Sequence, residues 1–154
     1  MKTKLALLAA LLLVLASCGS DDESSATVYY KGMCSSITFE NPAHEVYREK
    51  IEAALQGLQL TGEMSYFAQS ASASTVAEAA AQCDNDAQTT YWARLDKLTL
   101  LSLKQTVYRM YEMEFKAAGI MSFADLPFSN LTITFKLLNS QSAMVVKEYV
   151  MTLE

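Results

Sequence analysis

The first fifteen residues limit what this 154-residue chain can fold into. Lys2 and Lys4 precede an unbroken apolar run, Leu5 to Leu15, which is the layout of a secretory signal peptide. In a helix this run would reach about 16 Å, roughly half the hydrocarbon thickness of a bilayer, so it is too short to span one. We therefore expect the fold to be built only from the residues behind this segment.

Directly after the apolar run, Leu15-Ala16-Ser17-Cys18 resembles the lipobox of bacterial lipoproteins. In that family the cysteine, here Cys18, receives a diacylglycerol thioether, the chain is cut in front of it, and its new amino group is usually acylated, for example with palmitate. The resemblance implies a signal peptide at 1–17 and stable attachment through more than one acyl chain. A plain signal peptide with a chance cysteine, or an uncleaved helix, is the alternative.

Residues 18–26 form the predicted tether. Gly19 to Ser25 is polar and acidic and has nothing to bury, which is typical of an extended flexible leash. Its Ser-Asp-Asp-Glu run resembles the surface-export tether of Bacteroidota lipoproteins, and this resemblance implies display on the cell surface, at the outer face of the outer membrane, over a periplasm-facing position. A solvated linker without an export role is the alternative.

Residues 27–154 suit one globular domain. Loss of Lys2 and Lys4 with the signal peptide would leave 10 Lys and Arg against 17 Asp and Glu, a formal net charge of −7. Because binding to a phosphate backbone depends on clustered Lys and Arg, nucleic acid is excluded as an expected partner, and anionic lipid is a poor one. The predicted membrane contact is the lipid on Cys18.

Cys34 and Cys83 remain as an even pair in a chain predicted to leave the reducing cytoplasm, which favours a disulfide between them. Closing this loop of about 50 residues would contribute roughly 4 kcal/mol to stability. The alternative is two buried free thiols, because sequence spacing does not show whether the two Cα atoms come within bridging range.

The first half of the domain predicts a strand and two helices. The strand, Ala26–Glu40, is rich in β-branched and aromatic residues and is interrupted by a bulge or turn near 32–36. Asn41-Pro42 begins a helix expected to stop at Gly62. A capping box, Thr75 to Glu78, begins a second helix that points Cys83 inward.

The second half predicts three strands, at Gln105–Phe115, Leu131–Leu137 and Ala143–Leu153, of which the last two form a hairpin. Gln69–Ser74 and Gly119–Asn130 are predicted as loops. The order of elements predicts an α+β fold, an antiparallel sheet of about four strands with two helices packed on one face.

Chemistry-bearing motifs are sparse. His44 is the only histidine, and its spacing to the cysteines matches no metal pattern. Asp84-Asn85-Asp86 begins like a calcium loop, but Thr89 and Leu95 occupy the positions that need Gly and a bidentate acid. We read this run as a solvated turn of the second helix. The sequence therefore predicts no catalytic residue, no metal and no cofactor.

Adjacent aromatic residues offer the candidate binding surface. In each pair one ring can face the core while the other tends outward, and exposed Tyr and Trp are enriched on recognition surfaces. The alternative is that these rings only complete the core. The candidate residues are Tyr30, Tyr66, Trp92 and Tyr108.

Three functions remain open at this point. The first is a non-catalytic, membrane-anchored lipoprotein that binds a protein or glycan partner. The second is a periplasmic inhibitor or assembly accessory, whose apolar loop around Phe123–Phe128 would protrude and plug another protein. The third and least favoured is a small hydrolase that uses His44 with Glu45 or another acid and would need a concave pocket there.

Overall fold

The structure, a computed structural model, describes residues 23–62 and 65–154. The predicted signal peptide and Cys18 lie outside these residues. Among the residues described, no helix is long and apolar enough to cross a bilayer. The elements in chain order are β1 (Ser24–Phe39), a 3₁₀ helix (Pro42–Tyr47), α1 (Arg48–Gly57), β2 (Phe67–Ala73), α2 (Val76–Leu95), α3 (Leu100–Met110), α4 (Glu112–Ala117), a 3₁₀ turn (Phe123–Asp125), β3 (Leu131–Asn139) and β4 (Val145–Leu153).

The four strands form one antiparallel sheet in the order β2-β1-β3-β4. β1 is long enough to serve two partners: Ser24–Tyr30 pairs with β2, and Tyr30–Phe39 pairs with β3. β3 and β4 form the predicted hairpin. The predicted α+β class and four-stranded antiparallel sheet are confirmed.

One face of the sheet carries the core. Along β3 the buried side chains alternate with half-buried ones, as expected for a strand covered on one side. α2 packs against β1 and β2, while α1 and α3 pack against each other. The fully buried large side chains of β3 are Leu131, Ile133, Phe135 and Leu137.

Local signals in the sequence fixed several boundaries correctly. The Asn41 side chain accepts a hydrogen bond from the Ala43 amide at the start of the first 3₁₀ helix, and Pro42 occupies its first position. Thr75 caps α2 by accepting from the Glu78 amide at 3.1 Å. The predicted irregularity in β1 is a bulge between Cys34 and Ser36.

The predicted strand Gln105–Phe115 is wrong, because this segment belongs to α3 and α4. Thr99 and Ser102 form a capping box that begins α3, and the buried residues Leu103 and Val107 are four positions apart, which is helical spacing. The two-residue alternation of Gln105–Phe115 came from residues that mostly lie on the exposed side of these helices. The described part of the chain therefore has four α-helices where the sequence predicts two.

The predicted surface loop Gln69–Ser74 is also wrong, because most of it is β2. Small Ser and Ala side chains carry little strand propensity, so this strand has no recognisable pattern in the sequence. It forms because its backbone pairs with β1, with the Thr27 and Ser70 hydroxyls 3.0 Å apart. The first helix is shorter than predicted, since α1 ends at Gly57 and not at Gly62.

Cys34 and Cys83 are free thiols, so the predicted disulfide is not formed. Cys83 does face β1, as predicted, but its Sγ lies 3.6 Å from the Ala26 carbonyl oxygen. Cys34 is eight positions further along the same strand. At about 3.3 Å per residue that separation is roughly 26 Å, whereas bridged Cα atoms lie within about 7 Å.

We predict that alkylation of the denatured mature protein without reductant labels both Cys34 and Cys83 fully. The physical reason is that the β1 register holds the two residues too far apart to bridge. Peptide mass spectrometry measures the labelling, and a reduced sample serves as the control. Labelling that appears only after reduction would contradict this prediction.

Gly32 lies where β1, α2 and the segment after α1 meet. A Cβ atom at this position would lie 2.3 Å from the Tyr91 hydroxyl and 2.4 Å from the Leu60 carbonyl oxygen. We predict that Gly32→Ala lowers the free energy of unfolding by about 2–4 kcal/mol, through overpacking and loss of a buried hydrogen bond.

Urea denaturation of Gly32→Ala measures this loss. The matched control is Gly57→Ala, where the nearest atom to the added Cβ is the Met110 sulfur at 3.6 Å, an ordinary contact. The control should unfold at the same urea concentration as the parent protein or at a higher one. Equal midpoints for Gly32→Ala and the parent would contradict the prediction.

Candidate ligand-binding pocket

A cavity of about 400 Å³ opens where α2 ends, α3 begins and the segment after α1 passes between them. Its volume lies near the lower end of the range of roughly 300–1,000 Å³ found for small-molecule sites. We call it the Arg94 pocket. Its lining residues are Leu58, Gln59, Leu60, Arg94, Lys97, Leu98 and Ser102.

The end of α1 builds one wall of the Arg94 pocket. The Leu60 amide donates to the Leu55 carbonyl at 3.0 Å and the Gln59 amide donates to the Gln56 carbonyl at 2.9 Å, the two bonds of a Schellman cap. Gln59 has a left-handed φ of 58°, a conformation that costs a non-glycine residue free energy. The cap turns the chain so that Leu58 and Leu60 line the cavity.

Tyr91 fixes that wall to the rest of the domain. Its hydroxyl donates to the Leu60 carbonyl at 2.8 Å, and its ring end lies against Gly32. Burial raises the pKa of the Tyr91 hydroxyl, so this donor keeps its proton. The wall is thereby held at one distance from α2.

The first turn of α3 forms the opposite side. The Ser102 amide donates to the Thr99 hydroxyl at 3.1 Å, and the Thr99 amide donates to the Ser102 hydroxyl at 3.0 Å. This reciprocal cap fixes the start of the helix, and a helix start carries a partial positive charge. Leu98, which is buried, adds apolar surface beside it.

Two cations line the same cavity. The Arg94 guanidinium lies 4.9 Å from the centre of the Phe67 ring, and Lys97 follows three positions later in the turn after α2. Arg94 is half-buried and Lys97 is exposed. No carboxylate of residues 23–62 or 65–154 forms an ion pair with either side chain.

A second groove, of about 480 Å³, lies along β1 beside α1, and Cys34, Glu49 and Glu52 are among its lining residues. Burial and the Glu52 charge raise the pKa of the Cys34 thiol to about 11. At neutral pH this thiol is protonated and is therefore a poor nucleophile. The groove offers acidic surface around an inert thiol.

The four aromatic candidates do not share one surface. Tyr30 is fully buried, so its prediction as a binding residue is wrong: its hydroxyl donates to Asp84 at 2.5 Å, and its neighbour Tyr29 is the exposed ring of the pair. Tyr108 is half-buried and stacks on Phe115 with ring centres 5.9 Å apart. Both rings serve internal packing.

Tyr66 and Trp92 are exposed, at 41% and 44% of their surface. Lys31 lies 5.8 Å from the Tyr66 ring centre, and Trp92 stacks on Tyr149 with ring centres 5.7 Å apart. Contact between these two rings and a protein or glycan partner stays a prediction.

Asp84 has a different role from the one its sequence context suggests. Instead of lying only on the solvent side of α2, it accepts the Tyr30 hydrogen bond, and burial together with this contact raises the pKa of Tyr30. Across the described part of the chain, no group of three or more His, Cys, Asp or Glu side chains is placed to hold a metal ion.

His44 is not paired with its neighbouring acid. Glu45 binds Arg48 instead, which lowers the pKa of that carboxyl group. The His44 Nε2 atom lies 3.5 Å from the side-chain nitrogen, Nδ2, of Asn41. The acid–base pair that a hydrolase would need at this position is therefore not assembled by these residues.

Sequence reasoning missed the Arg94 pocket. A sequence signal was present, since Arg94 and Lys97 are two bases within four residues of an acidic chain. The apolar wall comes from a different element, whose approach depends on tertiary packing. Comparisons of the chain with protein-family models, curated proteins and solved structures found no match.

We predict that Gln59→Gly raises the free energy of unfolding by about 0.5–1 kcal/mol. Relief of left-handed strain, roughly 1–2 kcal/mol, exceeds the entropy cost of a new glycine, roughly 0.5–1 kcal/mol. Urea denaturation measures the change. The control Gln56→Gly, inside α1, should lower stability because glycine is a poor helix former. Destabilisation by Gln59→Gly would contradict the prediction.

Proposed function

We propose that this protein is a lipid-anchored extracytoplasmic binding module that is not an enzyme, attached to the outer membrane through Cys18 and displayed on the cell surface. The observation that carries the proposal is that Ser24, the first residue of β1, lies near the start of α2 and the Arg94 pocket lies at its far end. An anchored receptor needs this arrangement, because its ligand site must face away from the bilayer.

The distance between the two ends follows from the fold. Ser24, where β1 begins, pairs with Ala73, and α2 begins three residues later at Val76. The first residue of β1 and the start of α2 therefore lie close together. α2 has 20 residues, a rise of about 30 Å, and the pocket lies at its far end. The chain from Cys18 to Ser24 adds at most about 20 Å.

The lining of the Arg94 pocket supports binding over catalysis. The described residues contribute two cations, one hydroxyl, one side-chain amide and three leucine side chains to it, and none of them adds a carboxylate, histidine or thiol that could serve as general base or nucleophile. Its hydroxyl, on Ser102, is engaged in the cap of α3. These groups hold a ligand without a means to activate it.

The inhibitor or assembly accessory is the second candidate, and the loop that suggested it gives it less support. Leu126 and Phe128, at the centre of the predicted apolar tip, are 1% and 0% exposed. Both belong to the core cluster of the domain. These apolar side chains of the loop pack into the core of the domain itself. The inhibitor or assembly accessory therefore lacks the protruding apolar loop that it requires.

We predict that Cys18→Ser moves the protein from the membrane to the soluble fraction and abolishes labelling with radioactive palmitate. Without the thiol, the acyl chains that supply the membrane affinity cannot be attached. Ultracentrifugation of lysed cells and autoradiography measure the two effects. Cys34→Ser is the matched control and should stay in the membrane fraction.

Two outcomes would contradict this prediction. One is a Cys18→Ser protein that is processed and sediments with membranes like the parent. The other, for the cell-surface part of the proposal, is full resistance of the anchored protein to protease added to intact cells.

A further inference from the structure

We infer that the Arg94 pocket binds a small organic anion, a carboxylate or phosphate carried on an apolar body. This inference deepens the proposed function by naming the ligand class of its site. It depends on the surroundings of Arg94 and Lys97.

The first step is charge. Among the described residues of this acidic chain, carboxylates form ion pairs with Arg48, Lys50, Lys116 and Lys136. Arg94 and Lys97 have no such partner among the described residues, and they line one cavity. Two uncompensated positive charges three positions apart favour an anion between them.

The second step is the orientation of Arg94. A guanidinium that lies against the Phe67 ring keeps the in-plane N–H donors available, and an anionic oxygen pair matches their fork geometry. Within residues 23–62 and 65–154, no protein acceptor takes a hydrogen bond from Arg94. The aromatic contact fixes the group in place, so little side-chain entropy is lost when a ligand binds.

The third step is the apolar wall. Leu58, Leu60 and Leu98 line the same cavity as the two cations, so a fully hydrated ion would leave this surface without a partner. An apolar body attached to the anionic group would cover it, and burial of each methylene favours binding. The cap at Gln59 and the Tyr91 hydrogen bond hold this wall in position before any ligand arrives.

Membrane phospholipid is disfavoured as the source of this anion, because the pocket is at the far end of α2 from Ser24, the first residue of β1, which follows the proposed anchor at Cys18 by six positions. A free molecule in the surrounding medium fits the geometry better. The volume of about 400 Å³ suits a small ligand and excludes a polymer.

The test is an arginine footprint on the mature lipoprotein in neutral phosphatidylcholine vesicles. Phenylglyoxal modifies arginines, and peptide mass spectrometry follows Arg48, Arg94 and Arg109 separately. Sodium octanoate should slow the modification of Arg94 and leave Arg109 unchanged, since Arg109 is exposed and lines a different surface concavity. Arg109 is thus a control within the same molecule.

Three probes separate the parts of the ligand. Acetate, which has the charge without the chain, should need at least about 10-fold more concentration than octanoate, because two buried methylenes already correspond to that factor. Octanol, which has the chain without the charge, should not protect Arg94. Octyl phosphate tests a phosphate in place of the carboxylate. Protection of Arg94 by octanoate or by octyl phosphate supports the inference.

Two variants locate the effect. Lys97→Gln should raise the octanoate concentration for half-protection about 3- to 5-fold, and Lys97 is exposed, so its replacement leaves the core intact. Lys147→Gln, an exposed lysine on β4, is the charge-matched control and should have no effect. Leu58→Gln should weaken protection by octanoate while acetate protects as before.

The inference is overturned if neither octanoate nor octyl phosphate protects Arg94, if acetate protects as well as octanoate, or if Arg109 is protected equally. None of these outcomes touches the membrane attachment of the protein, which the Cys18→Ser fractionation measures. Conversely, a protein that proves not to be lipidated can be footprinted in solution. Failure of the ligand class and failure of the proposed function are therefore distinguishable.

Discussion

The buried hydrogen bond from the Tyr91 hydroxyl to the Leu60 carbonyl joins α2 to the segment after α1. It crosses Gly32, where the absence of a side chain lets α2 and the segment after α1 meet over β1. The Gly32 carbonyl accepts from the Gly62 amide, and its amide donates to the Ser65 hydroxyl. This junction sets the distance between α2 and the capped end of α1, and the Arg94 pocket is the space that remains.

Charge is distributed unevenly around that junction. Most ion pairs of the described residues lie on α1, α4 and the β3–β4 hairpin, away from the end of α2. Exposed pairs of this kind contribute little to stability, but they neutralise the cations that take part. Arg94 and Lys97 are in no ion pair with a described carboxylate, so the Arg94 pocket carries two positive charges on a chain whose formal net charge is negative. The proposed anion preference follows from this local difference and not from the net charge.

How far the sequence predicts the fold can be judged from particular elements. The hairpin of β3 and β4, the bulge in β1 and the cap at Thr75 were predictable because each depends on residues close together in the chain. β2 was missed because its Ser and Ala side chains carry no pattern, and its partners in β1 are 37 to 49 positions away in the sequence. α3 and α4 were predicted as a strand because a short amphipathic helix can imitate alternation.

The candidate site residues show the same difference between features set by nearby residues and features set by distant ones. From the aromatic pairs, the sequence correctly implied that one ring of each pair would be outward, but not that Tyr29 would be exposed and Tyr30 buried. The cysteines show why: Cys83 was correctly directed toward β1, yet the register along that strand decided that it meets Ala26 and not Cys34. The side of a helix on which a residue lies is set by its neighbours in the sequence, whereas its position along a strand depends on how the whole sheet is paired.

By itself, the sequence determined the α+β class, the antiparallel hairpin and the helix caps, and its lipobox resemblance supplied the hypothesis of a lipid anchor. These features depend on side-chain periodicity and short-range hydrogen bonds, which neighbouring residues specify. Only the tertiary structure decided that the thiols are free and that Arg94, Lys97 and the leucines of another element line one cavity. The physical reason is that such contacts join distant segments, and their distances are set by how α2 packs across the sheet.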